Sequence, residues 1–151
     1  MLADQPITIT SNVIPSSSVL SSWKVLGIPF NWKGKLPTTA KQDACSMLRE
    51  LSQAPLKPQQ RVDILRTHLI PRLIHHLTLG VVHKKTLKVI NLAVKSSLRK
   101  WLRLPNDVSN AFFHAAINDS GLGIPHLQSR IPLNRKSRLD RHLASQNPLL
   151  H

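Results

Sequence analysis

Residues His83 to Leu104 read HKKTLKVINLAVKSSLRKWLRL. Within them Leu87, Ile90, Val94, Leu98, Trp101 and Leu102 recur at the spacing that gathers side chains on one face of an α-helix. Beside that seam runs a second row, Lys84, Lys88, Lys95, Arg99 and Arg103, with Leu92 standing where one fourth-residue step would continue it. At about 1.5 Å of rise per residue the cations extend over roughly 28 Å, the length of about eight phosphates along one nucleic-acid strand at roughly 3.4 Å each. No acidic residue occurs in the segment. The bland alternative is a solvated outer face, but such faces ordinarily mix signs. A helix that packs on one side and tracks phosphates on the other is the favoured expectation.

The rest of the chain carries the same bias. A formal charge of +14 at pH 7 over 151 residues points to a polyanionic partner, nucleic acid ahead of an anionic membrane. No Lys or Arg occurs in residues 1–23, sixteen occur in 24–103, none in 104–129 and five in 130–141. The cations therefore sit on expected helices and not on a terminal tail, so binding should need the folded domain. The single cysteine, Cys45, excludes an internal disulfide framework and favours a reducing compartment. No basic n-region followed by an apolar core opens the sequence, and no run of eighteen apolar residues exists. The expectation is an intracellular protein without a membrane partner.

Punctuation residues divide the chain. Residues 1–22 are polar, with Ile7, Ile9 and Val13 to Ile14 hinting at short β-segments and Ser16 to Ser18 at a loop. Trp23 to Trp32 predicts a short hairpin in which Gly27 permits a close backbone approach or a bulge, followed by a turn at Lys33 to Lys35. A first helix is expected from Thr39 to Gln53, capped by Thr38 or Thr39, with Ala40, Ala44, Met47, Leu48 and Leu51 inward. Pro55 stops it. Pro58 suits the first turn of a second helix over 58–79, with Gly80 just past its end. Val62, Leu65, Leu69, Leu73 and Leu77 form its seam, Arg61, His68, Arg72, His75 and His76 occupy a neighbouring arc, and Pro71 should kink it. The basic helix ends at Leu104-Pro105. A short helix from Ser109 to Ile117, a turn over 118–125 and a last basic helix over 131–145 complete the chain. This is a mainly α fold: a bundle of four to five helices behind a short N-terminal β-hairpin. The expected division is 1–35, 36–145 and a frayed tail at 146–151.

Catalytic signatures are sparse. The seven acidic residues, Asp4, Asp43, Glu50, Asp63, Asp107, Asp119 and Asp140, stand at no spacing that pairs them for acid–base or two-metal work. Gly121-Leu-Gly123 precedes Ile-Pro and does not open a helix, so it is a turn and not a phosphate loop. The eight histidines show no metal-ligand frame and extend the basic face instead. Trp101, Phe112 and Phe113 are assigned to the core, and Trp32, flanked by Lys33 and Lys35, is held open as a base-stacking residue.

Several strings, taken together and in order, resemble one family. Trp23-Lys-Val-Leu26-Gly27-Ile28 resembles the primer-grip end of the palm in reverse transcriptases. Leu51 to Gln60 (LSQAPLKPQQ), Leu69-Ile-Pro-Arg-Leu73, Trp101-Leu-Arg-Leu-Pro105 and Asp119-Ser-Gly-Leu-Gly-Ile-Pro125 resemble the thumb that follows. The similarity is to non-LTR retrotransposons that insert site-specifically into ribosomal RNA genes, and it covers about residues 20–140. It implies a fragment of an RNA-directed DNA polymerase polyprotein: a thumb-like helical unit that grips template–primer duplex, RNA, RNA–DNA or DNA, through backbone and shape. By position, Leu26 and Gly27 match the primer grip. Val25 replaces the usual Tyr, and Ser120 stands where a second Gly is usual. The catalytic Asp pair, and the Mg²⁺ it would hold, belong to a palm that these residues do not include. The expectation is therefore a chain that is catalytically incomplete alone, with no cofactor or metal of its own and with Trp23, Val25, Leu26 and Phe30 left uncovered. The nucleic-acid contacts expected are Lys84, Lys88, Lys95, Arg99 and Arg103, with Arg61 and Arg72 behind them. The alternative is a stand-alone basic helical module that binds nucleic acid or a protein.

Overall fold

The computed structural model describes residues 8–9, 12–13, 21–37 and 39–145. Ile7, Ile14, the Ser16 to Ser18 loop, Thr38 and the 146–151 tail lie outside them. Two short strands, β1 (Thr8–Ile9) and β2 (Asn12–Val13), pair antiparallel. A second antiparallel sheet follows: β3 (Trp23–Val25), β4 (Ile28–Asn31) and β5 (Gly34–Lys35), in that spatial order. Val25 pairs with Ile28, so the first connection is the two-residue turn Leu26-Gly27. Both residues have positive φ, 52° and 81°, as hairpins of this length require for their twist. Leu26 holds that conformation against the usual preference for Asn or Gly, and its side chain is 77% exposed.

Five helical segments build the body: α1 (Ala40–Gln53); α2 (Pro58–Ile64), running through a π turn at Leu65–Leu69 into α3 (Ile70–Leu79); α4 (Lys84–Leu102); α5 (Asn110–His114); and α6 (Leu127–Ala144). The expected mainly α bundle behind a β-hairpin is what the chain forms. α4 is its axis, packed on α1, α2 and α6, while α3 lies against α1 and α6. The expected seams are buried: Ala40, Ala44, Leu48 and Leu51 of α1; Val62, Leu65, Leu69, Leu73 and Leu77; and Leu87, Ile90, Val94, Leu98 and Trp101 of α4. Trp101 also donates from Nε1 to Ser52 Oγ at 2.9 Å, which satisfies the polar atom of a buried indole.

Around Pro71 the 58–79 helix continues, but the Ile70 N–H reaches back to the Leu65 carbonyl, closing a wider turn just ahead of the proline. In a regular helix the Pro71 ring would collide with the carbonyl four residues back, and the π turn relieves that collision. The α5 segment stops at His114, not Ile117. Its final carbonyls are taken by the following loop, with Leu122, Ile124 and Gly123 donating to Phe112, Phe113 and Ala115 at 3.0, 3.0 and 2.9 Å. Finally, α6 begins at Leu127, four residues early. Pro132 suggests a first-turn position, but Leu127 and Ile131 both enter the core and hold a further turn ahead of it.

Candidate nucleic-acid interface

The five cations expected along α4 do not share one environment. Lys84, Lys88 and Arg103 are exposed. Lys95 is only 8% exposed and its Nζ donates to Asn110 Oδ1 at 3.1 Å. Arg99 is half-buried, donates from Nη2 to the Val108 carbonyl at 3.4 Å, and has its guanidinium 5.1 Å from the Phe113 ring centroid. Periodicity had placed all five on one solvated arc. The correction lies in what covers that arc: α5 and the segment before it close over the C-terminal half of α4 and leave the N-terminal half open. Burial, followed by repulsion from Arg99, lowers the affinity of Lys95 for its proton. Two exposed cations, Lys85 and Lys100, were missed. They stand opposite the apolar seam at about 100° per residue, so measuring outward from the seam finds them. The open cations of α4 are thus Lys84, Lys85 and Lys88 at one end and Lys100 and Arg103 at the other.

Of the second pair, Arg61 and Arg72, only one reaches an open surface. Arg61 donates from Nη2 to the Ala54 carbonyl at 2.9 Å and ties the corner between α1 and α2. Arg72 is exposed and faces the hairpin. With Lys24, Gly27, Thr39, Asp43 and His76 it lines a cleft of about 480 Å³ between the sheet and the N-terminal ends of α1 and α3. The fold therefore brings Gly27 and Arg72 together across 45 residues of sequence. A Cβ on Gly27 would sit 3.3 Å from His76 Nε2, so the glycine allows both the positive φ and the close approach. Trp32 is exposed, with Lys33 Nζ 5.1 Å from its ring centroid. Trp23, Val25 and Leu26 are exposed as well, whereas Phe30 is half-buried.

Negative charge does little to balance this surface. Among the described residues one ion pair forms, Arg66 Nη2 to Asp63 Oδ1 at 2.9 Å, and no group of His, Cys, Asp and Glu is placed to hold a metal ion. No described helix is long and apolar enough to cross a membrane.

No family model matches the chain. Individual proteins do. It is 40% identical over 136 residues to the Retrovirus-related Pol polyprotein from type-1 retrotransposable element R2 of Nasonia vitripennis. It is 42% identical over 139 residues to the Pol polyprotein from type-2 retrotransposable element R2DM of Drosophila melanogaster, and 33% identical over 141 residues to the R2 Pol polyprotein of Bradysia coprophila. The chain is homologous to a segment of R2 retrotransposon Pol polyproteins. In the first two cases the alignments cover 90% and 92% of this chain but 13% of the relative, so the chain spans about an eighth of the length of these relatives. Within this R2-homologous segment, Ser120 adopts the left-handed conformation, φ 58°, which glycine holds at least cost.

Histidines near both regions of the R2-homologous segment predict an acid sensitivity. His76 has its pKa lowered by burial, then by His75 and Arg72, with Asp43 opposing; His126 has its pKa lowered by burial, then by His114 and Lys95. A histidine whose folded pKa lies below its unfolded value leaves the unfolded chain binding more protons in the window up to about 6.5. Stability should therefore fall as pH drops through that window and level off above it. Urea denaturation at pH 7.5 and 5.5 checks the sign, and changing both residues to Gln should flatten the profile. A midpoint that rises on acidification would refute it.

Proposed function

We propose that the chain binds template–primer duplex for an RNA-directed DNA polymerase of the R2 type, as a thumb-like unit that grips backbone phosphates. In this proposal it supplies no polymerase chemistry and holds no metal ion; a polymerase palm carries both, and the site of action is the nucleus. The observation that carries the proposal is the α4 end at Lys84, Lys85 and Lys88: three exposed ammonium groups without a carboxylate partner among the described residues, on a helix that forms the axis of the bundle. Rigid attachment lets these charges hold a fixed spacing against phosphates, and A-form or hybrid duplexes are recognised through such backbone contacts. In this reading a primer strand passes Arg72, the Leu26-Gly27 turn and the cleft that Gly27 and Arg72 line. The second class of function, a basic module that binds a protein, lacks a comparable supporting feature.

The test is binding of an RNA–DNA hybrid across a salt series, comparing the chain with a variant carrying Gln at positions 84, 85 and 88. Each phosphate contact contributes roughly 0.9 to the slope of log affinity against log salt on duplex DNA, so losing all three should reduce its magnitude by about 2.7. An unchanged slope in the triple variant would sink the assignment.

A further inference from the structure

The junction that shelters Lys95 collects four basic side chains from three helices: Lys95 and Arg99 from α4, His114 from α5, and His126, the N-cap of α6. Among the described residues no carboxylate lies within ion-pair distance of any of them, and each basic group here works against the next. Repulsion from Arg99 adds to burial at Lys95; repulsion from His114 and Lys95 adds to burial at His126. His114 Nδ1 lies 2.8 Å from the Ile124 carbonyl, an acceptor, so that nitrogen carries the proton. Its Nε2 then carries a lone pair in the neutral ring and, like the Arg99 Nε–H donor, is sealed from solvent with no hydrogen-bond partner among the described residues. The His114 and His126 rings meet edge to face with centroids 5.0 Å apart, and His126 Nδ1 lies 3.0 Å from Ser129 Oγ. The positive end of the 18-residue α6 opens at the same place. Basic groups, unmatched nitrogens and a helix N-terminus converge where no acid balances them.

We propose that this junction is a proton-coupled phosphate site, with Asn110 and His126 toward solvent and Lys95, Arg99 and His114 behind them. It rests on the duplex-binding proposal for the source of its ligand, a backbone phosphodiester. The anion supplies the negative charge that the cluster lacks. Its arrival favours uptake of a proton from solvent at His126, whose charge the surrounding basic groups otherwise oppose. Binding of phosphate and binding of protons then reinforce each other. Exposed lysines do not show this coupling, since they are charged throughout the neutral range.

The experiment uses the full chain and two readouts. Histidine ring signals are followed by NMR from pH 7.5 to 5.5, in inorganic phosphate and in chloride at equal ionic strength, and affinity for an RNA–DNA hybrid is measured over the same range. Phosphate should move the His126 titration to higher pH, and hybrid binding should tighten on acidification by about tenfold more in the parent chain than in His126→Gln, the effect of one pKa unit. Lys95→Met, which removes a buried charge without removing volume, should stay folded and lose the phosphate-dependent shift. Identical titrations in phosphate and chloride, with hybrid binding retained and equally pH-dependent in both chains, would overturn the site while leaving duplex binding standing. Phosphate shifts without hybrid binding would keep the site for free phosphate and remove the duplex as its source.

Discussion

Replacing Arg135 by Met should destabilise the protein by about 3 kcal/mol, since a charged hydrogen bond contributes roughly 1.5–3 kcal/mol and several are lost together. Arg135 projects from α6 onto the C-terminal end of α3. Its Nη2 donates to the Leu77 and Gly80 carbonyls at 2.7 and 2.8 Å, and its Nε to the Thr78 carbonyl at 3.3 Å. The last carbonyls of a helix have no partner within it and carry the negative end of the helix dipole. One guanidinium answers both needs and bolts two helices together. Met keeps the aliphatic stem and abandons the carbonyls. For a domain of this size the loss corresponds to a melting temperature lower by roughly 6–12 °C. Arg135→Lys should recover only part, because a point charge cannot span three acceptors. A drop under about 1 kcal/mol would show that water replaces the guanidinium adequately.

Gly121→Ala should cost about as much, toward the upper end of the range for overpacking, about 1–3 kcal/mol or more. A Cβ there would lie 2.3 Å from the Ala115 carbonyl oxygen and 2.5 Å from its carbon. These are backbone atoms and cannot swing aside. The same stretch donates hydrogen bonds to α5 through Leu122, Gly123 and Ile124, and Ile124 and Phe113 are buried beneath it. Pushing residue 121 outward would loosen the whole wrap. Gly123→Ala is the informative comparison: its φ of 64° and a contact of 3.3 Å to Ile117 Cγ1 predict a smaller loss, since a side chain can yield. Chemical denaturation of both variants checks the order, and a milder effect at position 121 than at 123 would contradict it.

Much of this architecture was legible because proline, glycine and apolar spacing report on local geometry. Pro58 and Gly80 bracket α2 and α3 at the residues where the helix starts and stops, and the α4 seam is buried where its spacing put it. Ser109, expected as the first residue of a short helix, stands one residue ahead of α5 and caps it, accepting from the Ala111 N–H at 3.2 Å. The basic row was only half legible. Periodicity assigns Lys84 and Lys95 to one arc of α4, yet whether that arc meets water depends on α5, which is joined to it through the turn after Pro105. The approach of Arg72 to Gly27 was invisible for a similar reason, since nothing local records which helix end meets a hairpin. The resemblance to a reverse transcriptase named both regions but not their meeting.

The wide turn at Leu65–Leu69 also makes the number of residues between Arg61 and Arg72 a determinant of surface chemistry. In an ideal helix, successive fourth-residue steps drift by about 40° each, so Leu65, Leu69, Leu73 and Leu77 would spiral off the core. The loosened turn cancels part of that drift and keeps all four buried. Regular winding with the same number of residues would swing everything downstream by about 100°, and Arg72 and His76 would leave the cleft beside Gly27 while the helix itself stayed intact. Deleting one residue at the same time would bring them back, because the wide turn absorbs one extra residue. In insertions and deletions, then, this segment behaves as a phase-setting device: its length and its winding together decide which charges the hairpin meets.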